Sequence, residues 1–279
     1  MYRHMIFSCY SWLTSCLQPR SETGSLLPRE QHVELPLSEV KKRLVIISDV
    51  HGCYDELLRL LEKVEYDPTT TSVICVGDLV AKGPQSAEVV RFLYQNKQHI
   101  KSIRGNHEDN ALLAHYDKSS KYARREIYDF MSSLSKGEVD HMREFPISIS
   151  IPELSLAVVH AGVDPSKKGY PIHLHKFSDL IRIRCVTKDG STTNKNPDDK
   201  GTQLWSPKYT GPPFIVFGHD AKRKLQVHPW ARGIDTGCVY GGCLTALVIG
   251  DTRDTHNWMK NIEIISVAAA KVYNEKDDD

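Results

Sequence analysis

The sequence contains no uninterrupted run of about 18 apolar residues, so a membrane-crossing helix is not expected. It contains no Cys-x-x-Cys pair. Its seven cysteines (Cys9, Cys16, Cys53, Cys75, Cys185, Cys238 and Cys243) are odd in number and irregular in spacing, which fits a reduced intracellular chain rather than a disulfide scaffold. It has almost no net charge, +1 at neutral pH. No global field therefore favours nucleic acid or a membrane surface, and any anionic partner must be held by a local patch. No internal repeat is present. What remains is 279 residues, 40% hydrophobic and 25% charged, ordinary for a soluble globular chain and enough for a sizeable core.

The two ends differ from the middle. Met1 to Gln31 carries Arg3, Arg20 and Arg29, has no acidic residue before Glu22, and is rich in Ser and Leu. That pattern fits a mitochondrial-type presequence or a loosely docked extension; MIFSCYSWLTSCL is too broken by polar residues for a signal peptide. The expected layout is an extension over residues 1–40, disordered or targeting, one domain over residues 41–267, and a polar tail over residues 268–279 that frays. The expected compartment is the cytoplasm, with a mitochondrion or other organelle left open through residues 1–38. The stretch DGSTTNKNPDDKG, Asp189 to Gly201, has many turn formers and no apolar period, and reads as a mobile surface loop.

Between the ends one theme repeats. A short apolar run, rich in β-branched residues, ends in a polar or glycine cluster: RLVIIS then DVHG, SVICV then GDLVAKGP, KSI then RGNHE, LSLAVV then HAGVDP, PFIVF then GHDA. Each run suits a buried strand. YDELLRLLEKV and PQSAEVVRFLYQ follow the first two with helical spacing, and Pro84 stands near a helix start. This predicts a βαβαβ unit of an α/β domain. GCLTALVIG and NIEIISVAA read as further strands, and KSSKYARREIYDFMSSL as a helical insert over the site.

Five successive strand ends carry Asp, His or Asn, where open α/β sheets bind ligands. One such residue is more often structural; five in order point to chemistry. Asp49 and His51, two apart, face one side of an extended chain and can clasp one cation. Asp78 has two carboxylate oxygens and can bridge two cations, which roughly 3.5–4 Å apart need a shared anion. Asn106 offers a neutral oxygen, with His160 and His219 beside it for a second cation. His107 is placed to protonate a leaving oxygen, with Glu108 to orient it. Two divalent ions are thus expected, and mixed N and O ligands suit Mn, Zn or Fe better than Ca. Water activated between them would attack a phosphoryl group directly, with no covalent phosphoenzyme. Lys82, Arg104, Lys222, Arg223 and Lys224 are candidates to hold substrate phosphate, extended by Lys121, Arg124 and Arg125. Their alternative is a solvated surface.

Taken together, DVHG, GDLVAKGP, RGNHE, HAG and GHD resemble the motifs of the calcineurin-like metallophosphoesterases, in that superfamily's order. GDLVAKGP and GIDTGCVYGGCLTALVI are similar to the diadenosine tetraphosphatase form, so the chain resembles an ApaH-like phosphatase. The resemblance implies two facing mixed β-sheets flanked by helices. It implies Asp49, His51, Asp78, Asn106, His160 and His219 as metal ligands and His107 as the catalytic imidazole. The chain departs from Ser/Thr protein phosphatases at Ala81, where they carry an acid, and at Lys82, which cannot grip phosphate with two parallel donors as their arginine does. Inorganic polyphosphate, dinucleoside polyphosphates and capped RNA ends are the expected substrate classes, with phosphoprotein or another monoester as the rival. A catalytically inactive polyanion binder is the third reading, disfavoured because every ligand position is filled. No feature marks an obligate protein partner.

Overall fold

The computed structural model describes residues 19–197 and 201–275. Two mixed sheets face one another. The first holds, in spatial order, β14 (Ile262–Ala268), β13 (Cys243–Ile249), β2 (Arg43–Ile47), β3 (Thr71–Cys75) and β4 (Ile100–Ser102). The second holds β1 (His32–Glu34), β5 (Ser148–Ile151), β6 (Leu156–Val159), β10 (Phe214–Phe217), β12 (Ala231–Gly233) and β11 (Gln226–Val227). A small third sheet pairs β8 (Thr192–Thr193), β7 (Cys185–Val186) and β9 (Gln203–Leu204).

The continuous apolar runs follow from burial on both faces. Along β2, Leu44 and Ile46 point between the sheets while Val45 and Ile47 point to the helical layer. Leu156, Val158, Phe214 and Val216 meet them from β6 and β10, while Ala157, Val159, Ile215 and Phe217 turn outward onto Leu180, Ile181 and Trp205. The layers are therefore helix, sheet, sheet, outer cap.

The predicted βαβαβ unit is present: β2, β3 and β4 run parallel, joined by α1 (Tyr54–Lys63) and α2 (Ser86–Gln95). After β4 come α3 (Asn106–Tyr116), α4 (Arg125–Ser132) and α5 (Lys136–Arg143), and later α6 (Phe177–Arg182). The predicted insert helix begins only at Arg125; residues 117–124 form turns, helped by Asp117 accepting from the Ser119 N–H and hydroxyl. Among the described residues no helix is long and apolar enough to cross a membrane.

Three expectations about the periphery are corrected. From residue 19 onward the expected extension belongs to the fold: β1 pairs in parallel with β5, and Leu26 and Leu27 are buried. Residues 1–18 lie outside the described residues. The expected tail is docked through residue 274. Glu56 Oε1 accepts from the Ala270 N–H and the Tyr273 hydroxyl, both at 2.9 Å, and the Asn274 N–H donates to Val239 O. Within the expected mobile loop, Asp189 to Gly201, Thr192 and Thr193 form β8, which pairs with β7; residues 198–200 lie outside the described residues. Turn-forming composition did not prevent pairing because a tight turn is what a hairpin needs. β14 is an outer strand, and Arg59 and Lys63 of α1 donate to its Ala268 and Ser266 carbonyls.

Candidate metal centre and cleft

The parallel strands bring their carboxyl ends to one rim. Asp49 follows β2, Asp78 follows β3, Asn106 opens α3 after β4, His160 follows β6 and His219 follows β10. Two of these residues, and His51 beside Asp49, sit in left-handed backbone: His51 at φ 46°, Asp78 at φ 50° and His219 at φ 67°. Non-glycine residues rarely adopt it, and such strain gathers at functional sites. Close approach is secured by Gly105 and Gly218, where a Cβ would collide with the carboxylates of Asp78 and Asp49 respectively.

Asp78 is the hub. Its Oδ2 lies 3.6 Å from His51 Nε2 and 3.9 Å from His107 Nε2, and its Oδ1 lies 3.4 Å from His160 Nε2. The His107 N–H, in the first turn of α3, donates to Asp78 Oδ1 at 2.9 Å, where the helix dipole favours negative charge. Burial opposes the charge, yet His160, His107 and His51 together hold the Asp78 carboxyl well below the usual range. The ring of His51 places Nδ1 3.1 Å from Val80 O, and that of His160 places Nδ1 2.9 Å from Val76 O. Each contact fixes the ring and leaves Nε2 for the centre, as metal-binding imidazoles are commonly arranged.

At this rim, among the described residues, two trios could each hold an ion: His51, Asp78 and His107, and Asp78, His160 and His219. Asn106 Oδ1 is 3.0 Å from His160 Nε2 and adds a neutral oxygen to the second trio. Asp49 joins neither trio; its Oδ2 accepts from the His219 N–H at 3.0 Å. Asp49 Oδ1 and His219 Nε2 are both buried without a partner. Orphaned acceptors this deep call for an unseen partner, and a divalent cation fits this donor set. Burial, then Asp235 and Asp78, raises the Asp49 carboxyl well above its ordinary range, as expected of clustered carboxylates without a cation. His107, expected as acid alone, is also within ligand distance in the first trio.

Above the centre opens a cleft of about 410 Å³. Its charged wall residues include Lys82, Arg124, Arg182, Arg184 and Lys222; Tyr122 and Tyr240 add flat rings, and Asn110, Asn194, Asn196 and Asn274 add amides. Lys82 Nζ is 3.5 Å from His51 Nε2 and 5.2 Å from the Tyr240 ring centroid. Burial pushes His107 down to about 4, with Asp78 opposing and Lys82 assisting. The free chain thus carries it neutral at neutral pH.

Three sequence assignments are corrected here. Arg104 does not reach the cleft: it is fully buried, its guanidinium donating to Leu26 O at 2.7 Å and to Arg143 O. Arg223 does not line the cleft. It donates to Asn196 Oδ1 at 2.8 Å and to Asp220 Oδ1 at 3.3 Å, tying the segment after β8 to the His219 loop. Glu108 does not orient the His107 ring. Its carboxylate accepts from the Asp78, Leu79, Val80 and Gly105 N–H groups and so shapes the Asp78 loop. Sequence reasoning missed Arg182, Arg184 and Asp235. The two arginines alternate with buried Ile181 and Ile183 in IRIR, a period-two signal available in the sequence. Asp235 stands after β12, parallel to β10, so it is a sixth strand end; burial pushes its carboxyl up to about 6.

Comparison with known proteins agrees with this geometry. The sequence model of the calcineurin-like phosphoesterases matches residues 42–252. The chain is 32% identical over 226 residues to the asymmetrical bis(5'-nucleosyl)-tetraphosphatase PrpE of Halalkalibacterium halodurans, covering 72% of this chain and 88% of that one. It is 29% identical over 262 residues to the symmetrical bis(5'-nucleosyl)-tetraphosphatase of Yersinia enterocolitica, covering 75% and 88%. A crystal structure of a candidate diadenosine tetraphosphatase matches at TM-score 0.70 and 30% identity, over 86% of this chain and 98% of that one. A Saccharomyces cerevisiae serine/threonine phosphatase matches at TM-score 0.56 and 17% identity, a likeness of fold.

Proposed function

This chain belongs to the calcineurin-like phosphoesterases and is a phosphohydrolase; from that premise we propose that it cleaves phosphoanhydride bonds between consecutive phosphates, in dinucleoside polyphosphates first of all. The observation that carries the reading is the cleft wall, where five cationic side chains outnumber the carboxylates of Glu126, Asp220 and Asp235 and stand with two tyrosine rings around one centre. A single phosphoryl group would not need that many cations; a string of them would. The relatives' names support the nucleoside ends, and because they include both symmetrical and asymmetrical cleavage they leave the position of the cut open.

Asp49, His51, Asp78, Asn106, His160 and His219 would hold two divalent cations, with Asp78 shared between them. When bound, such ions supply Lewis acidity toward phosphoryl oxygens and make water a usable nucleophile near neutral pH. The chain's own groups do the rest. Lys82, Arg184 and Lys222 neutralise and orient phosphate oxygens. The His107 and His51 rings meet at right angles, with centroids 4.8 Å apart. His107 takes a proton more readily once an anion lies beside it, and donates it to the departing oxygen. Tyr122 and Tyr240 offer surfaces for a nucleobase.

The test compares release of products from diadenosine tetraphosphate, long-chain polyphosphate, a capped RNA end and an aryl phosphate, with Mn, Zn or Co supplied and Asp78→Asn as control. Preferred cleavage of the dinucleotide supports the reading. Shortening of polyphosphate alone makes the cleft a bare polyanion track, and turnover of the aryl phosphate alone overturns the anhydride preference.

A further inference from the structure

Two of the three arginines of the wall, Arg182 and Arg184, are held differently. Arg184 donates to the Asn194 carbonyl at 3.1 Å on the hairpin. Arg182 instead leans on α3: its NH2 donates to Asn110 Oδ1 at 2.9 Å and lies 3.6 Å from Asp109 Oδ2. Asp109 is fully buried. A carboxylate that deep needs polar partners on both oxygens, and it has them. The Thr23 hydroxyl donates to Oδ2 at 2.6 Å, the Ser25 hydroxyl donates to Oδ1, and Arg104 NH1 lies 3.5 Å from Oδ1. Arg104 is itself fixed by Leu26 O and Arg143 O. Asp109 is therefore anchored by Thr23, Ser25 and Arg104, and its Oδ2, shared with the Thr23 hydroxyl, faces Arg182, whose side chain keeps 22% of its surface exposed at the cleft.

The two arginines also flank different parts of the centre. Arg182 is bonded to Asn110, one turn after His107 on α3, and all three line the cleft, whereas Arg184 is bonded on the side of Asn194. His107 is the group that serves the departing oxygen. In a phosphoanhydride the departing group is itself a phosphate; in a simple phosphoester it is not. A planar cation beside His107 thus meets a partner only in the anhydride.

Resting on the anhydride reading above, we propose that Arg182 grips the departing phosphate and that Asp109 is the positioning residue that aims it, so the pair sets preference for consecutive phosphates over a single one. The hydroxyls of Thr23 and Ser25 complete the support, which gives the docked N-terminal segment a part in specificity.

The test measures binding, not turnover. Adenosine monophosphate and α,β-methylene adenosine diphosphate share one nucleoside and differ by one phosphate. Their dissociation constants are measured by calorimetry on the full chain at fixed free Mn. Wild type is expected to prefer the diphosphate analogue. Arg182→Ala and Asp109→Asn should each reduce that preference about tenfold, and the double variant should be no worse than Arg182→Ala alone. Asp109→Asn leaves Arg104 without its counter-charge and could fail to fold. Thr23→Val is the milder second variant, expected to reduce the preference by about two- to threefold with an unchanged thermal melt. An unchanged preference in Arg182→Ala overturns the proposal, as does additive loss in the double variant. If wild type itself shows no preference, the anhydride reading is what fails, and the inference falls with it.

Discussion

The floor and the wall of the cleft are built on opposite principles. The floor comes from strand ends: Asp49, Asp78, Asn106, His160 and His219 arrive one per strand, in order, on backbone held by the two sheets. The wall comes from connections: Tyr122 and Arg124 before α4, Arg182 and Arg184 around the end of α6, Asn194 and Asn196 on a hairpin, and Asn274 after β14. Floor residues are mostly buried and several are strained; wall residues are mostly half-exposed and, apart from the left-handed Lys82, relaxed. The contrast teaches that the scaffold fixes the reaction while the connections are free to set its substrate.

If so, damage to the two regions should differ in kind. The largest effect is expected from Asp78→Asn. Removing the charge shared by His51, His107 and His160 should lower kcat on the order of 10³-fold or more with every substrate, together with loss of tightly bound metal by elemental analysis; retention of metal and rate would remove Asp78 from the floor. Next is Gly218→Ala, whose methyl would press on the Asp49 carboxylate. It should cost about 100-fold in kcat through misplacement alone, and normal kinetics with a normal melt would show that the floor yields more than its geometry implies. A wall change should behave otherwise. Arg184→Ala should raise KM for diadenosine tetraphosphate about tenfold with a smaller change in kcat, and its penalty should shrink as salt is added; an equal loss in kcat would move Arg184 into the floor.

The smallest effect concerns the docked C-terminal segment, the part of the wall that ends in Asn274. Burial works against the Glu56 charge, but the Ala270 N–H, the Tyr273 hydroxyl and Arg59 hold its carboxyl below the ordinary glutamate range. A folded value below the unfolded one means that the stabilisation is present above the unfolded pKa and is lost as pH falls through the folded one. Hydrogen exchange at the Ala270 amide should therefore speed up in acid, once corrected for intrinsic rates, while Glu56→Gln should exchange faster than wild type at neutral pH and show a flatter pH response. Identical profiles would detach Glu56 from the wall.

The same contrast explains what the sequence disclosed. Strand-end motifs carry their direction with them: an apolar run of the length of RLVII, followed by DVHG, says both where the strand stops and which rim it reaches. The fold and the floor were legible for that reason. Neighbourhood in sequence does not say which way a long side chain turns. Arg104, two residues from Asn106, points back under α3 to Leu26 and Arg143, and Arg223, four residues from His219, turns to Asn196. Arg182 is 76 residues beyond Asn106 in the chain, and only the packing of Ile181 and Leu180 under the second sheet delivers it to the cleft. Asp235 was hidden because β12 is three residues long and ends in glycine, too short to stand out as an apolar run.

The outer strand β14 carries a further consequence, for the behaviour of the chain in a crowded solution. Seven residues long and rich in isoleucine, it is the kind of edge on which a second molecule could lay a strand and begin an aggregate. Arg59 and Lys63 occupy the Ala268 and Ser266 carbonyls that such a strand would use. These two cations keep the edge from serving as a template.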